Sequence, residues 1–324
     1  MSETLAVGGA VAQADAHARV RQAMLDPRRK LQLGLGVIWL LDGILQLQPF
    51  MFGKGFPQML AGNAQGNPAF IANPITWSAG FIDHHLAVLN GVFAAIQLAL
   101  GLGIAWRPTV RLALGASVLW ALGVWWVGEG LGGVLAGNAS PVSGAPGAVF
   151  LYALLAVLLW PADRVPSASF AAARAVGPRA ARALWLVVWA SLAVFALLPA
   201  SRAPQAISGT IARMAPGEPG WLAWIDAHAA SALSGQGLLA SIVLGAALAA
   251  VAFGIYLPDR AVRPILMLAV VVAALLWLAQ GMGGIFTGSG TDPNTGPLLA
   301  LLALAFWPAA PAPARPEAIS AAET

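Results

Sequence analysis

Long apolar runs alternate with short polar intervals along this chain. The runs cover 31–48, 86–106, 110–127, 145–161, 184–199, 237–257, 264–281 and 295–308, and the last is the shortest. Most are long enough to cross, as a helix, a hydrocarbon core about 30 Å thick. Lipid admits helices and closed barrels only, because every backbone N–H and C=O must find a partner without water. Barrel strands are much shorter and alternate polar with apolar residues, which these runs do not. The pattern predicts an all-α integral membrane protein with about eight transmembrane helices.

The runs fall into two similar sets. "VIWLLDGILQLQP" (37–49) aligns with "LVVWASLAVFALLP" (186–199), and "GFIDHH" (80–85) with "AWIDAH" (223–228). "IAWRPTVRLAL" (104–114) resembles "IYLPDRAVRPIL" (255–266), and "LLAVLLWP" (154–161) resembles "LLALAFWP" (301–308). "VWWVGEGLGGVLAG" (124–137) matches "LLWLAQGMGGIFTG" (275–288), with Trp126 over Trp277 and Glu129 over Gln280. Four spans return a chain to the side it started from, so the two sets predict parallel four-helix repeats. The expected organisation is an N-terminal tail at 1–30, a first repeat at 31–161, a connector at 162–183, a second repeat at 184–308 and a C-terminal tail at 309–324.

Charge orients this plan. Of the seventeen Lys and Arg residues, fourteen fall in the tails, the connector and the turns on one side. Only Lys54, Arg202 and Arg213 fall on the other. Positive residues stay in the cytoplasm, so both termini are expected there and the long loops 49–85 and 200–236 outside. The basic residues act as topology determinants, which makes nucleic acid an unsuitable partner and the lipid bilayer the expected one. Charged residues make up 9% of the 324 residues, against roughly 25% in soluble domains. The chain has no Cys, so disulfides, thiolate metal sites and thiol redox chemistry are excluded. Residues 1–30 lack the apolar core of a cleavable signal, so the first span is expected to act as its own insertion signal. Composition rich in Ala, Gly, Trp and Arg fits a bacterial inner-membrane protein.

The four-span unit, with "GILQLQPFMFGKGF" closing the first span, a long outer segment, "AAIQLALGLGIAWRPTVRLAL" and a short fourth span, resembles the DoxX-like membrane family. The likeness covers about 31–161 and, more weakly, 184–308. It implies a four-helix membrane bundle. Some members are accessory subunits of quinone-linked oxidoreductases, such as a thiosulfate:quinone enzyme, which implies a redox partner protein and quinone as a cofactor. Where that family carries an acidic residue early in the second span, this chain offers Asn90 and Gln97.

Ionisable side chains within lipid are expensive and mark function by default. Asp42 lies inside the first span opposite Leu192 of the second set, so it is a candidate proton acceptor or headgroup ligand. Glu129 lies among glycines that permit close helix approach, where a carboxyl can face a cavity. With Asn90, Gln97 and Gln280 these form the candidate proton- or substrate-binding set. Asp83, His84, His85, Asp226 and His228 form a candidate polar cluster on the outer face. The two Asp residues are expected to cap helices there; a copper or zinc pair of His85 and His228, with Met51 and Met59 on the same side, is the weaker alternative, and no metal is expected. The loops 136–147 and 287–297 read as ordinary turns that shape the outer mouth.

No Ser/His/Asp elbow, Walker sequence or dinucleotide fingerprint occurs, so no catalytic motif is present. Three readings follow. The first is an accessory subunit of a membrane redox system that binds quinone or lipid between helices. The second is a transporter or channel for a small solute or ion, since repeats commonly frame a midplane site. The third is a non-catalytic scaffold whose outer loops dock a periplasmic partner.

Overall fold

The computed structural model describes residues 26–166 and 168–308 of the chain; the expected tails lie largely outside them. Among the described residues the regular structure is entirely helical. In chain order, α1 is Pro27–Leu45, α2 Gly55–Gly62, α3 Ala69–His84, α4 Leu86–Ala105, α5 Val110–Val127, α6 Ala148–Leu158 and α7 Ala171–Val176. Then come α8 Pro178–Ala196, α9 Pro199–Arg202, α10 Ala206–Ala212, α11 Gly220–Leu233, α12 Gly237–Gly254, α13 Asp259–Ala279 and α14 Thr295–Ala305.

Local chemistry sets the ends of these helices. Asp26 caps α1 by accepting a hydrogen bond from the Arg28 N–H at 3.1 Å, and Pro27 takes the first helical position, where its missing N–H costs nothing. Pro178 starts α8 in the same way. Among the described residues, five helices are long and apolar enough to cross a membrane: α4, α5, α8, α12, and α13 from Arg260 onward. Their outward faces carry large apolar side chains such as Leu112, Leu119, Val243 and Met267, an arrangement that suits lipid and not water. Two shorter apolar helices, α6 and α14, are buried along nearly their whole length. They pack against each other and tie the halves together, and α14 also touches α1. In the first half α1 packs on α4 and α5 on α6; in the second, α8 packs on α12 and α13 on α14.

Two expectations need correction. The intervals 49–85 and 200–236 are not plain loops, since they hold α2, α3, α9, α10 and α11. α2 and α3 bury Phe56, Leu60, Ile71 and Ile75 in a small core of their own with Met51. The connector is not a bare linker either: α7 is buried and Phe170 stacks on Phe306 at 5.1 Å.

The Gly-rich motif that follows α5 and α13 has one backbone solution in both places. Residues Gly130, Leu131, Gly132 and Gly133 have φ of 57°, 56°, 64° and 72°. Gly281, Met282, Gly283 and Gly284 have 57°, 51°, 74° and 67°. Each is a left-handed turn, which costs about 1–2 kcal/mol for every residue that is not glycine. Only Leu131 and Met282 bear that cost, and Leu131 packs against the core of α2 and α3. The turns also press against backbone: a Cβ on Gly132 would lie 2.2 Å from the Pro146 carbonyl oxygen, and one on Gly283 2.5 Å from that of Asp292.

Alanine at Gly132 or Gly283 should therefore lower the melting temperature of the detergent-purified protein far more than alanine at Gly137. Gly137 has φ of 72° but open space around it, so its loss is the left-handed term alone, about 1–2 kcal/mol. Equal effects at the three positions would show that backbone contact is unimportant.

Candidate functional site

The polar side chains of α1 and α4 first stitch the bundle together. The Trp39 indole N–H donates to Ser117 Oγ at 3.0 Å, and Asn90 Nδ2 donates to the Gln46 carbonyl at 2.8 Å. Gln46 Nε2 also donates to Asn90 Oδ1. Asn90 is thus satisfied as a tie between α1 and α4, and does not border the cavity described next; its expected role as a binding residue is not supported by its placement.

A cavity of about 410 Å³ lies beside this tie. α1 contributes Trp39 and Asp42 and its C-cap Gln46, while α2 and α3 contribute Phe56, Met59, Leu60, Ser78 and Ile82. α4 adds Phe93 and Gln97, and α5 adds Leu119, Trp120, Gly123 and Val124. Glu129, Val149, Thr291 and Asp292 also line it, with Asn63, Val127 and Gly128. Leu119, 76% exposed, places part of the rim on the apolar flank of α5. The volume and the mixture of apolar wall with a few polar groups are those of a small-molecule site.

Asp42 is buried and its Oδ2 accepts a hydrogen bond from the Tyr152 hydroxyl. Tyr152 is itself buried, its ring 4.3 Å from that of Trp39. Glu129 Oε1 accepts from the Val149 N–H at 3.3 Å, at the start of α6. Gly147 has to be glycine beside it, because a Cβ there would lie 2.2 Å from Glu129 Oε2. Four buried polar atoms have no hydrogen-bond partner among the described residues and belong to side chains of this one cavity: Asp42 Oδ1, Gln97 Oε1, Trp120 Nε1 and Glu129 Oε2. Buried polar atoms are normally paired, so their concentration here points to a bound group.

A second, polar pocket of about 380 Å³ adjoins it, lined by Asn67, Asn138, Ser143 and Asn294. Glu129 and Asp292 border both spaces. Asp292 accepts from the Asn294 N–H at 2.6 Å and from Thr291 Oγ1 at 2.9 Å. Its withdrawal from water nonetheless raises its pKa above the ordinary value. The sequence reading missed Asp292 by taking its loop as turn chemistry alone. A signal existed: Asp292 is the only charged residue between Arg263 and Arg315. Tyr152 and Trp120 were also missed, because an aromatic inside an apolar run carries no pattern that separates a ligand contact from core.

Gln280, matched to Glu129, has a different role. Its Nε2 donates to the Pro141 carbonyl at 2.8 Å and to Thr295 Oγ1 at 2.9 Å, so it is a buried structural tie outside the cavity.

The expected outer cluster is divided among separate environments. Asp83 pairs with Lys54 at 3.2 Å. His84 and His228 each bond their own helix, Nδ1 to the carbonyls of Gly80 and Trp224 at 2.7 Å. His85 lies against Phe81, ring centroids 4.8 Å apart. Neither Asp83 nor Asp226 caps a helix: one lies in the last turn of α3 and the other inside α11. Among the described residues, no group of three or more His, Asp or Glu side chains is placed to hold a metal ion. Asp226 is buried beside Glu218, where burial first and the neighbouring Asp226 charge second push the Glu218 pKa up to about 7.

The fold and cavity define a helical protein with apolar helices suited to a membrane and a mixed polar–apolar internal site. No family model, curated protein or solved structure matches the chain.

The Glu218 shift has a definite sign. The folded protein holds this proton more tightly than the unfolded chain, so stability falls as pH rises from about 4.5 to about 7. Melting temperatures at pH 5 and pH 8 should differ less in Glu218→Gln than in the wild type. An unchanged difference would remove Glu218 as the cause.

Proposed function

We propose that the chain is an eight-span membrane protein of two parallel four-helix repeats with both termini in the cytoplasm, resembling a duplicated DoxX-like unit. In this reading it is an accessory subunit of a membrane redox system, and its first repeat holds a quinone or lipid headgroup in the cavity. The observation that carries the proposal is the gathering of four partnerless polar atoms around one space with an apolar flank. A lipid-soluble ligand can enter along Leu119 and place its polar end near Asp42, Gln97 and Glu129. The matched left-handed turns and the recurring helix pairs support the repeat.

Proton-coupled transport is the second reading, favoured by Glu129 and Asp292 bordering both the cavity and the polar pocket. That arrangement gives a carboxyl route between the two spaces.

The protein purified in mild detergent should carry extractable quinone. Asp42→Asn and Glu129→Gln should each weaken its retention on the order of tenfold, since a hydrogen bond to a charged group contributes about 1.5–3 kcal/mol. Glu129→Gln should stay folded. Wild-type protein free of quinone, together with proton-coupled uptake in proteoliposomes, would favour transport instead.

Topology is tested separately. Reporters fused at residues 60, 138, 215 and 290 should read as external and one at 170 as internal. An external signal at 170 would break both the orientation and the parallel repeat.

A further inference from the structure

The polar pocket of about 380 Å³ shares Glu129 and Asp292 with the ligand cavity, but its chemistry is its own. Five of its lining residues are Asn or Gln, the others beside the two acids are Gly, Ala and Ser143, and none is aromatic. Its hydrogen-bond donors are largely committed to the protein itself. Asn63 Nδ2 donates to the Gly128 carbonyl at 2.8 Å, Asn67 Nδ2 to the Asn63 carbonyl at 2.9 Å and Ser143 Oγ to the Ser140 carbonyl at 3.0 Å. Fixing an amide nitrogen also fixes its oxygen. Asn67 Oδ1 is buried without a partner, as is Glu129 Oε2. Three glycines make room for oxygens of the lining side chains. A Cβ at Gly147 would lie 2.2 Å from Glu129 Oε2, at Gly133 2.4 Å from Asn138 Oδ1 and at Gly144 2.5 Å from Asn294 Oδ1. Asn294 Oδ1 also accepts from the Thr295 N–H at 2.7 Å. Asp292 is near enough for its charge to act on Glu129.

We propose that this pocket binds a small ammonium compound, whose N–H groups donate to Glu129, Asp292 and the side-chain oxygens of Asn67 and Asn138. An ammonium carries three N–H donors and no acceptor, which matches a wall whose free groups are acceptors. Its positive charge also offsets two neighbouring carboxylates. A neutral polyol would need donors that the wall has already given to backbone carbonyls. A bare metal ion is a poorer match. The space is larger than one ion, and among the described residues no group of three or more His, Asp or Glu side chains is placed to hold a metal. Quaternary ammonium groups are held by aromatic cages, and the lining has no aromatic, so the ligand keeps its N–H groups. The adjoining cavity, with Trp39, Phe93 and Trp120, takes an apolar body that this pocket does not. An ammonium here does not require a quinone there.

The test follows the melting temperature of the full chain in mild detergent at constant ionic strength, with ethylammonium, tetramethylammonium, sodium and ethanol as probes. Ethylammonium should stabilise the protein saturably, and the other three should not. Asn138 is exposed, so Asn138→Asp leaves folding intact while adding a charge to the wall. It should tighten ethylammonium binding roughly two- to fivefold. Glu129→Gln should weaken that binding on the order of tenfold. Asp42→Asn, which alters the neighbouring cavity alone, should leave it unchanged while reducing quinone retention. Equal stabilisation by sodium, tetramethylammonium or ethanol, or no saturable effect of ethylammonium, would overturn the ammonium site. So would weaker or unchanged binding in Asn138→Asp, unchanged binding in Glu129→Gln, or lost binding in Asp42→Asn. A protein that binds ethylammonium but carries no quinone would overturn the reading of the cavity and leave the ammonium site standing.

Discussion

Inside lipid a polar atom without a partner has no water to fall back on, and most of this chain's buried side chains obey that constraint. Gln32 reaches the Leu159 carbonyl, Trp185 that of Val251, and Ser241 that of Ser201. Each bond joins helices that are distant in sequence, so meeting the constraint also fixes the packing. The rule is broken by several groups together in the cavity of the first half, and also where Glu218 meets Asp226 in the second. An isolated exception has many explanations, but Asp42, Gln97, Trp120 and Glu129 around one space have a common one.

The second half makes the same point by contrast. Asp42 and its donor Tyr152 align with Leu192 and Leu299, and both leucines are fully buried. In the alignment of the two sets of runs, a polar pair of the first thus stands over an apolar pair of the second. Apolar replacement of a buried polar pair is often neutral or stabilising, so folding alone does not require the carboxyl. Glu129 and Gln280 diverge similarly. The amide finds partners in Pro141 and Thr295, while one carboxylate oxygen of Glu129 is left without a partner.

The sequence was most legible where hydrophobic length alone decides the structure. The run 110–127 coincides with α5, and the other runs fall within a few residues of helices. The run 145–161 overshoots α6, because a buried strap between the halves is apolar beyond its helical part. The longer helices of 49–85 and 200–236 escaped detection because polar residues break their apolar runs, and Pro74 interrupts the pattern of α3. Asp42 and Glu129 were legible as acids placed where acids are costly. Their meeting with Asp292 was not, since a residue in a loop 163 positions beyond Glu129 reaches the cavity only through packing of the two halves.

The two ends of the molecule differ in a way that gives the cavity a direction. At the basic end, Arg28 bonds Asp163 at 2.9 Å, Asp163 pairs with Arg174 at 2.9 Å, and Arg174 reaches Asp26 at 3.0 Å. Burial would raise the Asp163 pKa, but the two guanidiniums outweigh it and hold the carboxyl below its usual value. This network ties the start of α1 to the segment after α6, and Gln32 adds a buried bond in the same layer. At the opposite end the left-handed turns hold Glu129 and Asp292 beside a polar pocket, with no Lys, Arg or His among the lining residues. One end is thus closed by a layer of opposite charges, while at the other Glu129, with one partnerless oxygen, and the hydrogen-bonded Asp292 border two adjoining spaces. Under the proposed function, a ligand or proton near Asp42 would exchange past Glu129 and Asp292, or sideways along α5, rather than through the ion-paired layer.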